Sequence, residues 1–258
     1  MKKEDPNKPL VSVILPVFKS EAHLEKCLVS ISAQTYKNIE IIAVVDYLGD
    51  NCLSILRKYK KSEPRLRIYK NIQRYGLART LNRAIEKARG NYLAFADSNG
   101  IVSSYRISKQ VKFLQKNPKV AAVGTQAAFI SKNGKKLETT TYPLRHSQIY
   151  KGLLSGETFK FESALIDKTR LPKDILRFRR NTHYPYVYSH VFTKIGLYKK
   201  IANLDKVLIQ TRIVNRQNKD LLDFGKKLSF IKVLFESTTT HDYKPSLRSL
   251  FVPMIKQG

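Results

Sequence analysis

The chain has 258 residues, 42% of them hydrophobic, which is enough for one large α/β domain with a buried core. Its 48 Lys and Arg against 20 Asp and Glu give a formal charge of +28, which suits phosphorylated small molecules, anionic lipid or nucleic acid, or simply solvated basic faces. Its two cysteines, Cys27 and Cys52, form no disulfide framework or metal-site spacing, and no window approaches the ~20 apolar residues of a membrane-spanning helix.

The first half of the sequence alternates apolar strands with amphipathic helices. Continuous apolar runs predict buried strands, and apolar residues three or four positions apart predict helices. The predicted strands are 11–17, 39–45, 67–69, 92–96 and 120–123, with helices around 24–31, 53–59, 77–85 and 107–114. This order predicts an α/β fold of Rossmann-like type, with a mostly parallel central sheet and helices on both faces. Ligands bind beyond the carboxyl ends of such strands, so we expect the site at residues 18–20, 46–50 and 97–100.

The second half of the sequence is less regular. Turn residues Asn133 and Gly134 predict a hairpin over 129–137, and weaker patterns predict a helix at 147–154 and strands at 163–166 and 207–214. A final helix is predicted from an apolar stripe formed by Leu221, Leu222, Leu228, Ile231 and Leu234. Residues 237–245 are polar and are expected to be mobile. We divide the chain into a domain over 9–214 and a basic helical extension over 215–258.

Several common catalytic signatures are absent from the sequence. It contains no Walker A loop, no G-x-G-x-x-G and no G-x-S-x-G, and its five histidines lack the pair spacing of zinc hydrolases. Hydrolase and dehydrogenase functions therefore have no specific support.

Three blocks of sequence resemble the family 2 glycosyltransferases. They are VSVILPVFKSEAHLEKCLVSISAQTYKNIEII, NIQRYGLARTLNRAIEKARGNYLAFADSNG and YRISKQVKFLQKNPKVAAVGT, and weaker similarity extends over about 9–214. The resemblance implies a nucleotide-diphospho-sugar transferase fold. It also implies transfer of a sugar, here expected from a UDP-linked donor, to an acceptor hydroxyl, usually with inversion. Mg²⁺ or Mn²⁺ would hold the diphosphate, and the product would be a cell-surface polysaccharide or glycoconjugate.

The resemblance assigns donor-binding roles to residues near the ends of the first strands. Pro16 and Phe18 match the family's Pro-x-aromatic motif, where the ring would lie near the nucleobase; Phe18 is equally well read as a core aromatic. Asp46 matches an acid that contacts uracil, and Val45 stands where the family has a first acid. Arg79 lies where the diphosphate is expected, although a solvated helix face explains it as well.

The family's Asp-x-Asp motif corresponds here to Asp97-Ser98-Asn99. A diphosphate leaving group gains negative charge, and a divalent cation held by oxygen ligands offsets it. Asp97 and Ser98 are therefore candidate donor ligands, and Asp97 and Asn99 are candidate metal ligands. An amide oxygen binds Mg²⁺ or Mn²⁺ more weakly than a carboxylate. Gly100 replaces another common acid, and the whole segment also has the composition of a tight turn.

The family's catalytic base is missing from its expected position. The acidic-aromatic-acidic run corresponds to residues 184–192, and no Asp or Glu lies between Asp174 and Asp205. We consider His190 and Glu162 as substitutes, because either can accept the proton of an attacking hydroxyl; an ordinary helix histidine also explains His190. The same region carries a basic cluster that suits a phosphate clamp, a membrane contact or a solvated helix: Lys168, Arg170, Lys173, Arg177, Arg179 and Arg180.

Three functions follow from these observations. The first is an active transferase whose partners are a nucleotide-sugar donor and a glycan or lipid-linked acceptor. The second is an inactive relative that binds nucleotide or phosphate as a scaffold, which the missing carboxylates favour. The third, a nucleic-acid-binding module, rests on charge alone, and we expect no specific nucleic acid partner. The polar first residues, 1–9, lack the apolar stretch of a secretory signal, so we expect a cytoplasmic protein with possible peripheral contact to an anionic membrane.

Overall fold

A computed structural model describes residues 8–213, 219–241, 243–247 and 249–250. The strands are β1 Val11–Val17, β2 Ile39–Val45, β3 Leu66–Lys70, β4 Tyr92–Phe95, β5 Ile101–Val102, β6 Val120–Ile130, β7 Lys136–Thr139, β8 Leu165–Asp167 and β9 Lys200–Arg212. The helices are α1 Glu21–Ser32, α2 Cys52–Lys60, α3 Leu77–Lys87, α4 Arg106–Lys116, α5 His146–Lys151, α6 Tyr186–Tyr198 and α7 Lys219–His241.

The first four strands form the parallel sheet that the sequence predicts. Their spatial order is β3-β2-β1-β4, and β1 pairs in parallel with β2 on one side and β4 on the other. Val17 lies opposite Val45, so both strands end at the same level. These strands are continuous runs of apolar residues because helices cover both of their faces.

The other half of the sheet is mixed, and its antiparallel pairs join the parallel strands of the predicted sheet. β8 is antiparallel to both β4 and β6, and β5 is antiparallel to β9. β6 is much longer than the predicted 120–123 because it first pairs with β8 and then forms the predicted hairpin with β7, while β9 runs parallel to it along its length. The complete order is β3-β2-β1-β4-β8-β6-β9-β5, with β7 beside β6.

Two hydrophobic layers cover the faces of the sheet, as predicted for an α/β fold. One layer includes Leu81 of α3, Ile149 of α5 and Val187 of α6. The opposite layer includes Leu24 of α1 and Leu56 of α2, together with α4. Among the described residues, no helix combines the length and apolar character needed to cross a bilayer.

The last helix, α7, packs along α6 and forms a third apolar cluster with it. The cluster contains Tyr186, Phe230, Val233 and Tyr243, all of them buried. The expectation of a mobile segment is wrong for residues 237–241, which continue α7, and the side chain of Ser237 is buried against Thr193 of α6. The proposed division of the chain at 214 falls in residues 214–218, outside the described part, and stays a prediction.

Candidate functional site

The loops after β1, β2 and β4 leave the sheet at one edge, where the sequence predicts the site. β1 lies between β2 and β4, so parallel pairing brings the three carboxyl ends together. The ring of Phe18 after β1 meets the ring of Tyr47 after β2, with centroids 5.7 Å apart. On the β4 side, the thiol of Cys27 on α1 donates to the carbonyl oxygen of Asp97 at 3.3 Å.

An aromatic and cationic surface stands at the ends of β1 and β2. Phe18 is 36% exposed, so it is not the core aromatic that the sequence also allowed. The guanidinium of Arg74 lies 4.8 Å from the Phe18 ring centroid, and the ammonium of Lys19 lies 5.0 Å from that of Tyr47. Exposed rings and cations in one place suit a ligand that has both a flat base and phosphate charge.

Asp46 is built into the wall of this surface. Its Oδ1 accepts hydrogen bonds from Asn71 Nδ2 at 2.7 Å and from the Tyr75 amide at 2.8 Å, and its Oδ2 accepts one from the Gly76 amide at 2.8 Å. These bonds fix the loop that leads into α3, where Gly76 has a φ of 82° that favours glycine. An ionised carboxylate has about four acceptor positions, so Asp46 keeps capacity for a ligand N–H.

Pro16 and Arg79 flank the same edge. β4 stops pairing with β1 at Ile14, whose carbonyl accepts from the Ala96 amide at 3.0 Å. Backbone groups two residues apart in a strand point the same way, so the backbone of Pro16 also faces β4. β4 has already ended at this level, and the N–H that proline lacks would have had no partner in the sheet. Arg79 is exposed on the first turn of α3, with its guanidinium 5.1 Å from the Tyr75 ring centroid.

The Asp97-Ser98-Asn99 segment is a tight turn beyond β4. The Asn99 amide donates to Asp97 Oδ1 at 3.0 Å, the Gly100 amide donates to the Asp97 carbonyl at 2.9 Å, and Ser98 is buried. Within the described ranges, no three His, Cys, Asp or Glu side chains come together as a metal site. The turn offers one carboxylate and one amide, which fits a divalent cation only when a bound diphosphate and water supply the other ligands.

Gly100 has a structural reason to be glycine, where the family that the sequence resembles commonly has an acid. A Cβ at this position would lie 2.8 Å from the carbonyl oxygen of Gln210 on β9. The close approach of β9 to β5 therefore requires glycine, because a backbone oxygen cannot move aside as a flexible side chain can.

A buried group of ionisable side chains lies near Asp97, away from the aromatic and cationic surface at the ends of β1 and β2. Lys160 Nζ lies 3.1 Å from Glu162 Oε2 and donates to Tyr184 Oη at 3.0 Å. Burial alone would lower the pKa of the Lys160 ammonium, but the nearby Glu162 carboxylate and Tyr184 raise it, with a further contribution from Asp97. Burial, followed by the Glu162 charge, raises the pKa of Tyr184 to about 12, so its hydroxyl stays protonated.

Strand register explains why Glu162 comes close to Asp97. β4 and β8 are antiparallel, with Ala94 opposite Leu165, and the Phe95 amide bonds to the Ala164 carbonyl at 2.9 Å. Because β8 runs antiparallel to β4, the turn Phe161–Ser163 that precedes β8 lies at the same edge of the sheet as Asp97, which follows β4. The pKa of Tyr188, raised first by burial, is raised further by both carboxylates. The site thus contains two carboxylates at one sheet edge with a lysine beside them.

The structure does not bring His190 to this group. His190 lies two residues after Tyr188 on α6, which turns it toward α7, and its Nε2 is 2.8 Å from Glu236 Oε1. Its side chain is 3% exposed. Burial lowers the pKa of His190, which keeps the ring neutral but gives it no access to a ligand at the strand ends.

The basic cluster read from the sequence does not form one clamp or one helix. Arg170 is used structurally: its Nη2 donates to the Leu114 carbonyl at 2.9 Å and its Nε pairs with Asp167 Oδ2 at 2.8 Å. Arg179 pairs with Glu236 on α7 instead. Residues 171–180 are turns and extended chain rather than a basic helix.

Sequence reasoning missed several residues of the candidate site. Lys19 and Arg74 adjoin the recognised blocks, and their charge beside Phe18 and the GLARTLN segment was the available signal. Lys160 and Tyr184 gave no such signal, because they come from separate loops that only the antiparallel β8 brings together.

Comparison with known proteins identifies the family. The family model for Glycosyl transferase family 2 matches residues 12–188, more than half of the 258 residues. A glycosyltransferase of Haemophilus influenzae is 29% identical over 182 residues, which cover 70% of this chain and 71% of that protein. TuaG of Bacillus subtilis, named for teichuronic acid biosynthesis, is 34% identical over 107 residues, 42% of each chain.

Solved structures show the same fold. The S. aureus TarS fragment 1–349 in complex with UDP-GlcNAc has a TM-score of 0.66 at 15% identity, covering 90% of this chain and 73% of that one. The mannosyltransferase PcManGT of Pyrobaculum calidifontis, in complex with GDP-Man and Mn²⁺, has a TM-score of 0.65 at 18% identity, covering 94% and 78%. The chain described here is therefore a member of the family 2 glycosyltransferases, with the fold of nucleotide-sugar transferases.

Proposed function

We propose that the protein transfers a sugar from a UDP-linked donor to an acceptor hydroxyl with inversion, and that Glu162 is the base. The observation that carries this proposal is the register of β4 and β8, which directs Asp97 and Glu162 to the same edge of the sheet. In this proposal Glu162 takes the place of the family's acid, since the chain just before α6, where that acid is expected, carries Tyr184 and Pro185 instead.

The donor would bind along the ends of β1 and β2. Phe18 and Tyr47 offer rings for the base, Asp46 keeps acceptor capacity for its imide N–H, and Lys19, Arg74 and Arg79 offset phosphate charge. UDP is supported by the uracil-contacting role that the family gives to the Asp46 position. TarS, with UDP-GlcNAc, and PcManGT, with GDP-Man, show the fold binding two such donors.

Asp97 and Asn99 would hold Mg²⁺ or Mn²⁺ together with the diphosphate. When bound, the cation supplies positive charge that stabilises the leaving diphosphate. The single carboxylate predicts weak binding in the absence of nucleotide.

In the reaction, Glu162 takes the proton of the acceptor hydroxyl as its oxygen bonds to the anomeric carbon. The bond from that carbon to the diphosphate oxygen breaks on the opposite side, and the diphosphate leaves with the electron pair. Lys160 pairs with Glu162 and holds it in place, and Tyr184 orients Lys160 through its hydroxyl. TuaG, named for teichuronic acid biosynthesis, supports a polysaccharide or lipid-linked acceptor. We further propose that the protein is cytoplasmic and contacts an anionic membrane peripherally, which its charge of +28 supports.

Replacing Glu162 by Gln tests the assignment. Release of UDP in the presence of a panel of saccharide acceptors should fall by about 10²- to 10⁴-fold, while UDP affinity changes less than about twofold. His190→Gln is the matched control and should keep most of the activity. Full activity in the Glu162→Gln variant would remove Glu162 from the mechanism.

The absence of any acid from 175 to 204 favours a second candidate function, a relative that binds nucleotide without transferring sugar. Wild-type protein that binds UDP but releases none from UDP-sugars, with any acceptor offered, would establish this alternative.

A further inference from the structure

We infer that the outward face of α7 docks on an anionic lipid bilayer. The inference rests on the membrane contact proposed above but not on the transfer reaction, so a protein without transferase activity would still show it. The rest of this section concerns the face formed by Leu228, Ile231 and Phe235, called the α7 outer face.

The α7 outer face is apolar and exposed. Leu228, Ile231 and Phe235 are 41%, 54% and 69% exposed. Their spacing of three and four residues places them on one side of the helix. The opposite side of the helix is the one that packs on α6, through Phe230, Val233 and Ser237. The apolar stripe expected from the sequence therefore does not coincide with the buried side of the helix.

Lysines border the α7 outer face on both sides. At 100° per residue, Lys227 and Lys232 fall on opposite flanks of the stripe, and both are exposed. The described side chains of α7, those of 225–241, include one acid, Glu236, which is turned inward to His190 and Arg179. An apolar stripe edged by lysines is the pattern of a helix that lies in the plane of a membrane interface.

The loop next to α7 carries further exposed cations. The loop 171–183 runs beside α7, since the His183 amide donates to Ser229 Oγ at 2.9 Å and Arg179 pairs with Glu236. Exposed Lys173, Arg177 and Arg180 lie on this loop. Anionic lipid headgroups attract such cations. A second copy of the chain would instead bring another +28 of charge to the same place, which opposes self-association through this face.

The placement of the face also suits a lipid-linked acceptor. α7 packs along α6, with the rings of Tyr186 and Phe230 5.5 Å apart at the first turn of α6. Tyr184, immediately before that turn, contacts Lys160 in the candidate acceptor site. A bilayer under α7 would therefore lie beside the acceptor side of the site.

The absence of tryptophan allows a direct test with the full chain. Phe235→Trp places one fluorophore on the α7 outer face, and Leu137→Trp places one at a site on β7 that is also exposed, at 53%. Vesicles of phosphatidylcholine with about a third phosphatidylglycerol should shift the emission of the first variant to the blue and leave the second unchanged. Vesicles of phosphatidylcholine alone should give a much smaller shift.

Vesicle flotation then measures the contribution of the face. The double variant Ile231→Ser, Phe235→Ser should bind anionic vesicles about tenfold or more weakly than wild type, while Leu137→Ser binds normally. UDP affinity and melting temperature, measured on the same samples, separate this result from misfolding and from failure of the donor site. Unchanged binding by the double variant, or a wild-type dimer that this variant converts to monomer, would overturn the inference.

Discussion

Two of the carboxylates in the candidate site, Asp46 and Glu162, are held in opposite ways. Asp46 accepts three hydrogen bonds from one loop, and two of them come from backbone amides. Glu162 stands on a short turn before β8, and its Oε2 is buried without a hydrogen bond from the described residues, although Lys160 Nζ lies 3.1 Å away.

This difference separates a group that shapes the site from a group that is able to react. Each backbone bond to Asp46 fixes the loop, so the carboxylate is part of the framework. Glu162 instead meets two side chains, the Lys160 ammonium and the Tyr184 hydroxyl. Mutations around Asp46 should therefore change stability and UDP affinity, whereas mutations around Glu162 should change the rate of transfer.

Asp46→Ala should give the largest effect on stability. It leaves the amides of Tyr75 and Gly76 and the side chain of Asn71 without their acceptor, and we expect a loss of about 2–5 kcal/mol in the free energy of unfolding. UDP affinity, measured by titration at a temperature where the variant is folded, should fall more than about tenfold. Asp46→Asn keeps one oxygen acceptor, so its stability and UDP affinity should lie between those of wild type and Asp46→Ala. A folded Asp46→Ala variant with unchanged UDP affinity would contradict the placement of the base.

Asn99→Asp should strengthen cation binding by about tenfold or more, because a second carboxylate then faces the ion. Calorimetric titration of Mn²⁺ into protein with bound UDP measures this change. Gly100→Asp is the contrasting variant: its Cβ would meet the Gln210 carbonyl, so it should lower the melting temperature without a gain in affinity. Equal Mn²⁺ affinity in Asn99→Asp and wild type would remove position 99 from the metal site.

The sequence predicts the donor half of the site better than the acceptor half, and the reason is topological. Phe18, Asp46 and Asp97 each follow a strand that reads as an apolar run, and parallel strands with intervening helices must end at one edge. The positions of these residues follow from local pattern alone. The helices on both faces of the sheet were predicted from local pattern in the same way.

The acceptor half depends on pairings that no local pattern encodes. β8 is only three residues long and enters the sheet in reverse, and Lys160, Glu162 and Tyr184 meet because of it. Periodicity likewise showed an apolar stripe on α7 but not which side of the helix faces the protein, since Phe230 and Val233 are buried while Ile231 and Phe235 are exposed. A helix that is apolar on two sides can pack through either side, and the sequence of the helix alone does not say which.

Phe18→Ala should weaken UDP binding by about fivefold, as expected for loss of a ring that stacks on a base, worth about 1 kcal/mol. Phe18→Tyr should retain wild-type affinity. Tyr105→Ala removes another exposed ring, on the residue preceding α4, and serves as the control in the same fluorescence or calorimetric titration. Equal losses in Phe18→Ala and Tyr105→Ala would show that the first effect is not local to the donor surface.

The smallest expected effect is a pH dependence of stability from His190. Burial lowers the pKa of His190 from its usual 6.5, so the folded protein binds fewer protons than the unfolded chain. Stability is therefore greatest above 6.5 and falls as the pH drops through the unfolded pKa toward the folded one, with a slope no steeper than about 1.4 kcal/mol per pH unit.

Glu236, the partner of His190, does not obscure this measurement. Burial opposes ionisation of its carboxyl group, but the hydrogen bond from His190 and the charges of Arg179 and Lys194 outweigh burial and lower its pKa below 4.5. Denaturant unfolding between about pH 5.5 and 7.5 should show a shallower slope for His190→Gln than for wild type, with His146→Gln as the comparison because burial lowers the pKa of that histidine too. An unchanged slope in His190→Gln would mean that the ring takes up its proton within the fold, and that the α6–α7 interface admits charge where the structure shows it closed.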